Sequence, residues 1–506
     1  MHTNNESEII FIEKYGSTSA QRYYVKPPDQ NNLVPVDAVR TSEVRNIFTT
    51  IFLPQGYPDS VSKDYINYQI WDTAQAFCST ITGTLATQEV FRGVGVGDTS
   101  ATPLAATVTW VLRDGCGHLG KIMFAYSHGT YLDAYSKKWR LYADALNDAA
   151  MCVEMALPLY SAYAAPALCA SAVMRALVGV AGGATRAAMT QHHAVRGNMA
   201  DVAAKDSAQE TAVNLVASLA ALAIITVFGN SILIFTLMTI LHIVFNYFAV
   251  RAVCLRTLNE PRFLQVIDGY LKDEVISSPC EINKSEPIIF YQMGTNLLDL
   301  KTCGFHIKLG CSIKQIGTKL NADSLTILKH VYRKRKYVLV PDVVRRRMSV
   351  LIAADAGADD VLCGYFHAVL LSVIICAIND YKLAICSSTQ LASRPFAQVC
   401  RAVCSAPWSR APSCTGDGVC EPSIELDEYV DGIVHKEWTR VRTGLAKIGW
   451  DLSKHLLLTD EWRLYSDTRL SEDGIDVASG HTEAGEIGEE RDKFVVAPIS
   501  KLNKED

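Results

Sequence analysis

The 506-residue chain mixes apolar and charged sequence: 49% of its residues are hydrophobic, 20% are charged and its mean hydropathy is +0.12. This balance indicates a protein that is partly embedded in a membrane and partly exposed to water. The net charge of −5 argues against a nucleic-acid partner, because a phosphate-binding surface normally makes its domain basic. The length allows two or three domains.

The amino-terminal residues 1–45 predict a small β-hairpin and a loop. Residues 8–13 and 20–26 are strand-like and flank a turn, and a loop rich in Pro and Asn follows. The first residues contain no apolar signal core, so we expect neither a secretory signal nor a transit peptide there. Many of the 15 cysteines lie singly in apolar runs, which indicates reduced thiols and soluble parts that face the cytosol.

Residues 46–265 predict a helical membrane domain. Apolar residues recur at helical spacing after Asp64, and Pro103 stands where a helix start tolerates a missing N–H. Polar side chains in these apolar helices are candidate intramembrane or helix-packing residues. They are Arg113, Asp114, His118, Arg140, Asp144, Asp148 and Glu154. The four-residue steps between Arg140, Asp144 and Asp148 place those three on one helix face.

The longest uncharged stretch lies between Glu210 and Arg251. As one helix it would be about 60 Å long, roughly twice the hydrocarbon thickness of a bilayer. Gly229 tolerates the left-handed conformation of a turn, which divides the stretch into spans at about 211–229 and 231–250. Basic residues on both sides place both ends of this hairpin, and the chain termini, in the cytosol. The alternative is a hairpin buried inside a soluble protein.

A polar cluster at residues 186–210 precedes the hairpin. Its candidate site residues are Gln191, His192, Arg196, Asn198, Asp201, Lys205 and Asp206. The cluster is either an interfacial helix with ordinary salt bridges or a binding site. The adjacent His192 and His193 point to different faces of a helix, which argues against joint metal binding, so we expect no metal. A desolvated Lys205 would be suited to a Schiff base with an aldehyde.

The sequence changes character after the helical region. Residues 266–391 combine short apolar runs, glycines and two strands around a basic turn, which predicts an α/β (α+β) domain. Residues 392–425 predict a loop with four cysteines, whose spacing lacks a CxxC pair and favours a reduced loop over a zinc site. These are Cys400, Cys404, Cys414 and Cys420. Residues 426–466 predict a last helical segment, and residues 467–506 an acidic, disordered tail.

No catalytic motif stands out. The sequence contains no GxSxG, HExxH, Walker or deaminase signature, and no cysteine or histidine pairs with a base as a nucleophile would. We therefore expect no catalytic residues and a non-enzymatic protein, with the cofactor unknown.

Four long motifs in the same order resemble the RUS (root UVB sensitive) family. They are FLPQGYPDSVSKDYINYQIWDTAQAF, TPLAATVTWVLRDGCGHLGKIMFA, KKWRLYADALND and GATRAAMTQHHAVRGNMADVAAKDSAQETAVNL. The resemblance is strong over residues 46–265 and weaker through DDVLCGYFHAVLL and GWDLSKHLLLTDEWR. It implies a multi-pass membrane protein of unestablished biochemistry, with plant members that act in root responses to ultraviolet B and in early seedling development.

These observations predict a mainly α-helical fold, with a multi-helix membrane domain, a transmembrane helical hairpin and a smaller α/β (α+β) carboxyl-terminal domain. We expect a protein integral to an intracellular membrane, with the lipid as partner and a transporter-like or scaffolding role. One alternative is a membrane-attached enzyme or handler of a vitamin B6-like cofactor that uses the cluster at 186–210. Another is a structural partner for itself or for a related RUS chain.

Overall fold

The amino-terminal strands form a small sheet. The computed structural model describes residues 8–14, 21–26, 33–37, 43–93, 103–288, 296–316, 322–381, 383, 395–406 and 422–465. Strand β1 (Glu8–Lys14) pairs antiparallel with β2 (Gln21–Lys26), as the sequence predicts. A third strand, β3 (Val34–Asp37), pairs antiparallel with β2. It was missed because a loop rich in Pro and Asn precedes it, although β-branched Val34 and Val36 suit an edge strand.

A bundle of long helices follows. Its members are α1 (Glu43–Phe52), α2 (Tyr65–Gly93), α3 (Pro103–Ala134), α4 (Ser136–Met155), α5 (Ala164–His193), α6 (Met199–Phe228) and α7 (Ile232–Ala252), with a 3-10 helix at Leu157–Tyr163. Helix α2 lies at the centre and packs against α4, α6 and α7, while α5 packs against α3 and α4. Ile81 and Leu85 of α2, Ala217 of α6 and Phe235 of α7 meet in its core.

The long uncharged stretch is two helices joined by a tight turn, as predicted. Helix α6 ends at Phe228, Gly229 has a φ of +66°, and α7 begins at Ile232. Asn230 holds the turn against α2, because its Nδ2 donates to Leu85 O at 2.9 Å and to Glu89 Oε1 at 2.7 Å. We call this end of the bundle the far end, and the α5–α6 junction the near end.

The carboxyl-terminal part is built around one apolar helix, α13. Its elements are α8 (Glu260–Asp273), α9 (Pro279–Ser285), α10 (Asn296–Thr302), β4 (His306–Leu309), α11 (Ile313–Ile316), α12 (Ala322–Val331), β5 (Tyr337–Asp342), β6 (Arg347–Ile352), α13 (Ala358–Ile378), α14 (Pro395–Ser405) and α15 (Ile424–Ile448). The sheet order is β4-β6-β5, with β4 parallel and β5 antiparallel to β6. Helix α13 packs against this sheet and against α14 and α15.

Helix α14 lies within the residues assigned to a loop at 392–425, so that assignment is wrong for this part. Val399, Cys400 and Val403 recur at helical spacing and contact the core around α13, which stabilises the helix. Cys404 packs against the same core. The other two cysteines of that loop lie outside the described residues.

The last helical segment is shorter than predicted. Helix α15 ends at Ile448, because Gly449 adopts a left-handed conformation with φ +103°. The following residues, to 465, are not helical and form isolated bridges, such as Leu309 with Thr459. At the other boundary, α8 spans the predicted division between residues 265 and 266. The acidic tail at 467–506 lies outside the described residues.

Among the described residues, four helices are long and apolar enough to span a membrane, namely α5, α6, α7 and α13. Their surroundings differ: the most apolar segment of α13 is 94% buried, against 17% in α5, 11% in α6 and 22% in α7. Helix α13 is therefore the core helix of the carboxyl-terminal part. The described residues leave the outer faces of α6 and α7 uncovered, so this part of the chain does not itself bury the hairpin.

Candidate functional site

A connected row of polar side chains runs through the bundle between α2, α4 and α7. His242 of α7 lies between two partners, with Nδ1 2.8 Å from Asp148 Oδ1 and Nε2 2.8 Å from Gln75 Oε1. Because a carboxylate only accepts hydrogen bonds, the Nδ1–H group donates to Asp148 and the second ring nitrogen faces the amide. His242 is 1% exposed and Asp148 is 3% exposed, so water does not satisfy either group.

The row continues from Gln75 towards the near end. Gln75 Nε2 donates to Asp72 Oδ1 at 3.2 Å, and an Arg140 amino group reaches the same oxygen at 3.1 Å. Arg140 also lies 3.6 Å from Asp144 Oδ2, which accepts from Asn246 Nδ2 at 2.5 Å. We call the whole set the central network: Asp72, Gln75, Arg140, Asp144, Asp148, His242 and Asn246.

Helical periodicity explains how each helix contributes to the central network. Asp72 and Gln75 are three residues apart on α2, and His242 and Asn246 are four apart on α7. The predicted polar row of α4, whose members are four residues apart, faces them, so Arg140, Asp144 and Asp148 do share one face. Three polar rows therefore meet where apolar packing brings the three helices together.

A second polar contact joins the helices nearer to the α5–α6 junction. Arg186 of α5 contacts Asp206 of α6 through Nε at 2.7 Å, and its other nitrogens reach Asp206 at 2.6 Å and Glu210 at 2.5 Å. Gln69 lies three residues before Asp72 on α2, and its Nε2 donates to Asp206 Oδ1 at 3.0 Å. Asp206 is thus a helix-pairing carboxylate inside the bundle.

Asp64, His192 and His193 meet at the near end. Asp64 Oδ2 is 2.9 Å from His192 Nε2, and Asp64 Oδ1 is 3.9 Å from His193 Nδ1, which also contacts Ser62 Oγ at 2.6 Å. Burial alone would raise the pKa of Asp64, but the hydrogen bond and the charge of His192 hold it below its ordinary value. The carboxyl group is therefore ionised.

This trio is the group in the described part of the chain that could hold a metal ion. Ligand atoms on one tetrahedral ion with bonds near 2.0–2.2 Å lie about 3.4 Å apart, whereas the 2.9 Å between Asp64 and His192 is a hydrogen-bond distance. The prediction that His192 and His193 do not bind a metal jointly considered only their directions on the helix, and the structure places Asp64 close to both rings. A hydrogen bond within the trio, one to Ser62 and one from the backbone N–H of Cys254 to Asp64 already satisfy several of its polar atoms.

A cavity of about 620 Å³ lies beside this trio at the near end, and we call it the near cavity. Helix α5, the segment after α7 and the end of α15 line it. Its polar and aromatic walls include Gln191, His192, Arg256, Trp450, Asp451 and Lys454. Two of the predicted site residues, Gln191 and His192, therefore face a cavity with partners that only the tertiary structure supplies.

The other members of the predicted cluster do not share that cavity. Asp201 accepts from Gln55 N at 2.7 Å, and Lys205 Nζ donates to Thr50 O at 2.5 Å. These contacts fasten the segment before α2 onto α6. Lys205 is engaged by a backbone carbonyl and lines no cavity described here.

Arg196 and Asn198 belong to the turn between α5 and α6. Asn198 Oδ1 accepts from Arg196 N at 3.3 Å, and the Arg196 guanidinium lies 3.9 Å from Asp59. Both charged groups of that ion pair are more than half exposed, so it contributes little to stability.

The predicted polar residues of α3 and the end of α4 divide into two sets. Glu154 accepts from Arg175 at 2.8 and 2.5 Å and from Ser171 Oγ. Glu154 and Arg113 line a cavity of about 650 Å³ at the far end, which we call the far cavity. Asp114 and His118 lie on the exposed face of α3 instead.

Sequence reasoning missed Asp72, Gln75 and Arg175 as site residues and treated His242 and Asn246 only as helix-packing groups. A weak signal was present, because Asp72 is the only charged residue of α2 before Glu89, and Gln75 follows it by three residues. Their partners lie far along the chain, so spacing alone does not identify them. The residues are informative only when the three rows are seen together.

The lysine at the start of α4 is a further buried charge that the sequence did not indicate. Lys137 is 1% exposed and lies 3.6 Å from Glu286, which also accepts from Arg262 at 3.0 Å. Burial lowers the pKa of Lys137 to about 8. This group ties the near end of the bundle to α8 and α9, within the compact unit Met1–Leu464.

These features define a mainly helical protein with apolar helices of membrane-spanning length and a buried ionisable network. Residues 39–274 match the family model described as "Vitamin B6 photo-protection and homoeostasis domain", and residues 275–411 match "Root UVB sensitive protein, C-terminal". The chain belongs to the RUS (root UVB sensitive) family, as the motifs predict. No solved structure matches it significantly.

Two relatives illustrate the extent of this similarity. The chain is 47% identical over 259 residues to "RUS family member 1" of Dictyostelium discoideum, which covers 50% of this chain and 49% of that relative. It is 34% identical over 330 residues to "Protein root UVB sensitive 3" of Arabidopsis thaliana, which covers 63% of this chain and 74% of that relative. The matched region thus spans about half of the first relative and about three quarters of the second.

Proposed function

We propose that the chain is a multi-pass protein integral to an intracellular membrane, with a transporter-like, non-enzymatic role in which the central network lines a polar path. The observation that supports this role is a connected row of ionisable side chains inside a bundle with apolar outer helices. Ionisable groups within a bilayer are costly and commonly mark ion or substrate pathways.

The membrane placement rests on the outer faces of α6 and α7. Leu219 and Leu222 on α6 and Leu233 on α7 are each more than half exposed, and residues 211–250 contain no Asp, Glu, Lys or Arg. Such a surface is unfavourable in water and favourable in lipid. Arg251 follows the hairpin directly, which supports cytosolic ends and, by extension, cytosolic termini.

His242 is the residue best suited to move a proton along this path. Histidine changes its charge near neutral pH, and its two ring nitrogens face Asp148 on one side and Gln75 on the other. His242 can therefore exchange a proton with Asp148, while the Gln75 amide, which does not titrate, orients the second ring nitrogen. Asp72 and Arg140 extend the row beyond Gln75 towards the near end.

Carbonate extraction of membranes, with protease accessibility of tags at both termini, tests the placement. We expect the chain to stay with the membrane and both tags to be accessible from the cytosolic side. Proteoliposomes loaded with a pH-sensitive dye test the path: an imposed potential should drive proton entry in the wild type and not in His242→Asn. His118→Asn, an exposed histidine of α3, is the matched control.

Release of the chain by carbonate would contradict the membrane placement. Equal dye responses from the wild type, His242→Asn and protein-free vesicles would contradict the path. In that case a scaffolding role is the alternative, because the same ion pairs hold helices in register. The apolar residues Leu119, Ile122 and Met123 on the exposed face of α3 favour it, since they offer a surface to a second copy or a related RUS chain.

A second candidate function is the binding of a vitamin B6 compound, favoured by the description of the matched domain. The near cavity is a better binding site for such a compound than the surroundings of Lys205. The cavity is lined by the amine of Lys454, the guanidinium of Arg256 and the ring of Trp450. Such a compound would supply aldehyde chemistry when bound, and these residues would hold its phosphate, ring and aldehyde. Visible absorbance in the purified protein that disappears in Lys454→Arg, but not in Lys205→Arg, would support it.

A further inference from the structure

The charged side chains that line the far cavity, Arg113, Arg175 and Glu154, sum to one positive charge, although the charge of Arg113 also acts on Glu154. Glu154 and Arg175 neutralise each other through two hydrogen bonds. The Arg113 guanidinium lies over the Trp110 ring, 4.4 Å from its centroid. No carboxylate oxygen of the described residues lies within 4.0 Å of Arg113. The cavity therefore has an excess of one positive charge.

We infer that the far cavity binds the anionic group of an amphipathic molecule, a phosphate or a carboxylate, with Arg113 as its main ligand. Guanidinium groups bind such anions through paired, charge-assisted hydrogen bonds. Apolar side chains beside the guanidinium strengthen this attraction, because they lower the local dielectric constant. The inference rests on the proposed function in one respect, because it takes this anion to be the molecule that the bundle transports.

The neutral walls of the cavity narrow the class of ligand. Gln88 Oε1 is buried and has no hydrogen-bond partner among the described residues, so it calls for an N–H or O–H donor on the ligand. Thr84 and Thr87 already donate to backbone carbonyls at 2.8 and 2.7 Å, so their hydroxyl oxygens remain as acceptors. The ligand is thus an anion that also carries a donor group.

Apolar side chains complete the cavity. Phe91 of α2, Leu168 of α5 and Ile225 of α6 line it together with Trp110. Its volume of about 650 Å³ is that of a small-molecule site. A ring or a short acyl segment fits beside the anion, which is the chemistry of a small organic phosphate or carboxylate and equally of a lipid headgroup with the start of its chains.

The test uses the full chain purified in a neutral detergent, with 4-hydroxyphenyl phosphate as the probe and isothermal titration calorimetry as the measurement. We expect saturable binding to the wild type and binding about tenfold or more weaker in Arg113→Gln. Arg113 forms no ion pair with the described residues, so this substitution should leave the fold intact, which thermal melting checks. Lys121→Gln, which removes the same charge from an exposed position about two turns along α3, is the matched control.

Nanodiscs separate the two sources of the anion. If phosphatidic acid in the nanodisc competes with the probe and phosphatidylcholine does not, the natural ligand is a lipid headgroup; if neither competes, it is a soluble solute. Both results support the site. Absence of saturable binding to the wild type, or equal binding by Arg113→Gln, overturns it.

The two proposals fail separately. If the probe does not bind while carbonate leaves the chain in the membrane, the anion site is wrong and the membrane placement stands. If carbonate releases a chain that still binds the probe, the placement is wrong and the anion site stands.

Discussion

Helix α13 and the α6–α7 hairpin are built from the same kinds of residues but have opposite surroundings. The most apolar segment of α13 is 94% buried, whereas that of α6 is 11% buried. The sheet β4-β6-β5 and helices α14 and α15 cover α13, and the outer leucines of α6 have no cover within the described residues. Apolarity shows that a helix avoids water, but it does not show whether protein or lipid surrounds it.

The polar residues of the two regions differ in the same way. In α13, Ser372 donates to Ala368 O of its own helix, and His367 contacts Tyr337 of the adjacent strand. In α7, His242 connects to an acid of α4 and an amide of α2, which continue into further ionisable groups. The polar groups of the core helix bond within the helix or to a single neighbour, and His367 Nε2 has no hydrogen-bond partner among the described residues, whereas the hairpin joins an extended network.

The largest expected effect comes from an acid placed in each region. Leu371→Asp in α13 puts an unpaired carboxylate at a fully buried position, which should cost on the order of 5 kcal/mol and prevent folding. Leu222→Asp on α6 should leave the chain folded in detergent but make membrane insertion less favourable by about 3–4 kcal/mol. Size-exclusion chromatography and carbonate extraction measure the two outcomes, and equal loss of folding in both variants would contradict the comparison.

The next largest effect is the loss of stability when either of the buried histidines, His242 or His367, is replaced. His242→Ala leaves Asp148 without its partner and should lower the free energy of unfolding by about 3–5 kcal/mol. His367→Ala, which removes a neutral hydrogen bond, should cost about 1–3 kcal/mol. Thermal melts in detergent give both values. The double variant His242→Ala/Asp148→Ala should recover part of the loss, and a smaller effect at His242 than at His367 would argue against a charged network.

A pair of glycines gives a smaller effect. Gly229, at the hairpin turn, has φ +66° and ψ −164°, which other residues avoid, so Gly229→Ala should cost about 1–3 kcal/mol. Gly357, before α13, has φ −90°, so Gly357→Ala should be neutral or stabilise by about 0.4–1 kcal/mol. Opposite shifts in melting temperature are expected. Shifts of the same sign would mean that the hairpin turn relaxes without cost.

The last effect, small for each unit of pH, is a pH dependence in the carboxyl-terminal part. Burial raises the pKa of Asp427, in the first turn of α15, from 3.8 to about 7. The folded state therefore keeps a proton that the unfolded state loses, so this stability is present below pH 3.8 and is lost as the pH rises towards 7. The slope is at most about 1.4 kcal/mol per pH unit. Asp427→Asn should flatten the change in melting temperature between pH 5 and pH 7; an unchanged slope would assign it to another group.

Sequence reasoning predicted those parts of the fold and site that depend on near neighbours. The turn at Gly229, the start of α3 at Pro103 and the polar row of α4 follow from local conformation and helical spacing. The family resemblance likewise rested on continuous motifs, and the family models confirm it. Helix α14 was missed because its cysteines suggested a loop, although Val399 and Val403 have helical spacing.

The candidate site was harder to predict because its contacts join distant residues. Asp148 and His242 are 94 positions apart, and Gln75 and His242 are 167 apart. The cluster before the hairpin suggested one site, but the segment ahead of α2 folds over α6 and engages Asp201 and Lys205. No local pattern contains that information.

The sequence by itself determined the apolar helices, the glycine that separates α6 from α7 and the types of polar residue within them, because these depend on composition, backbone conformation and helical period. Only the tertiary structure decided that protein covers α13 and that the described residues leave the outer faces of α6 and α7 uncovered. It also decided that His242 meets Asp148 and that Arg113 faces the far cavity. The physical reason is that cover, pairing and cavities arise from packing between residues far apart in the chain.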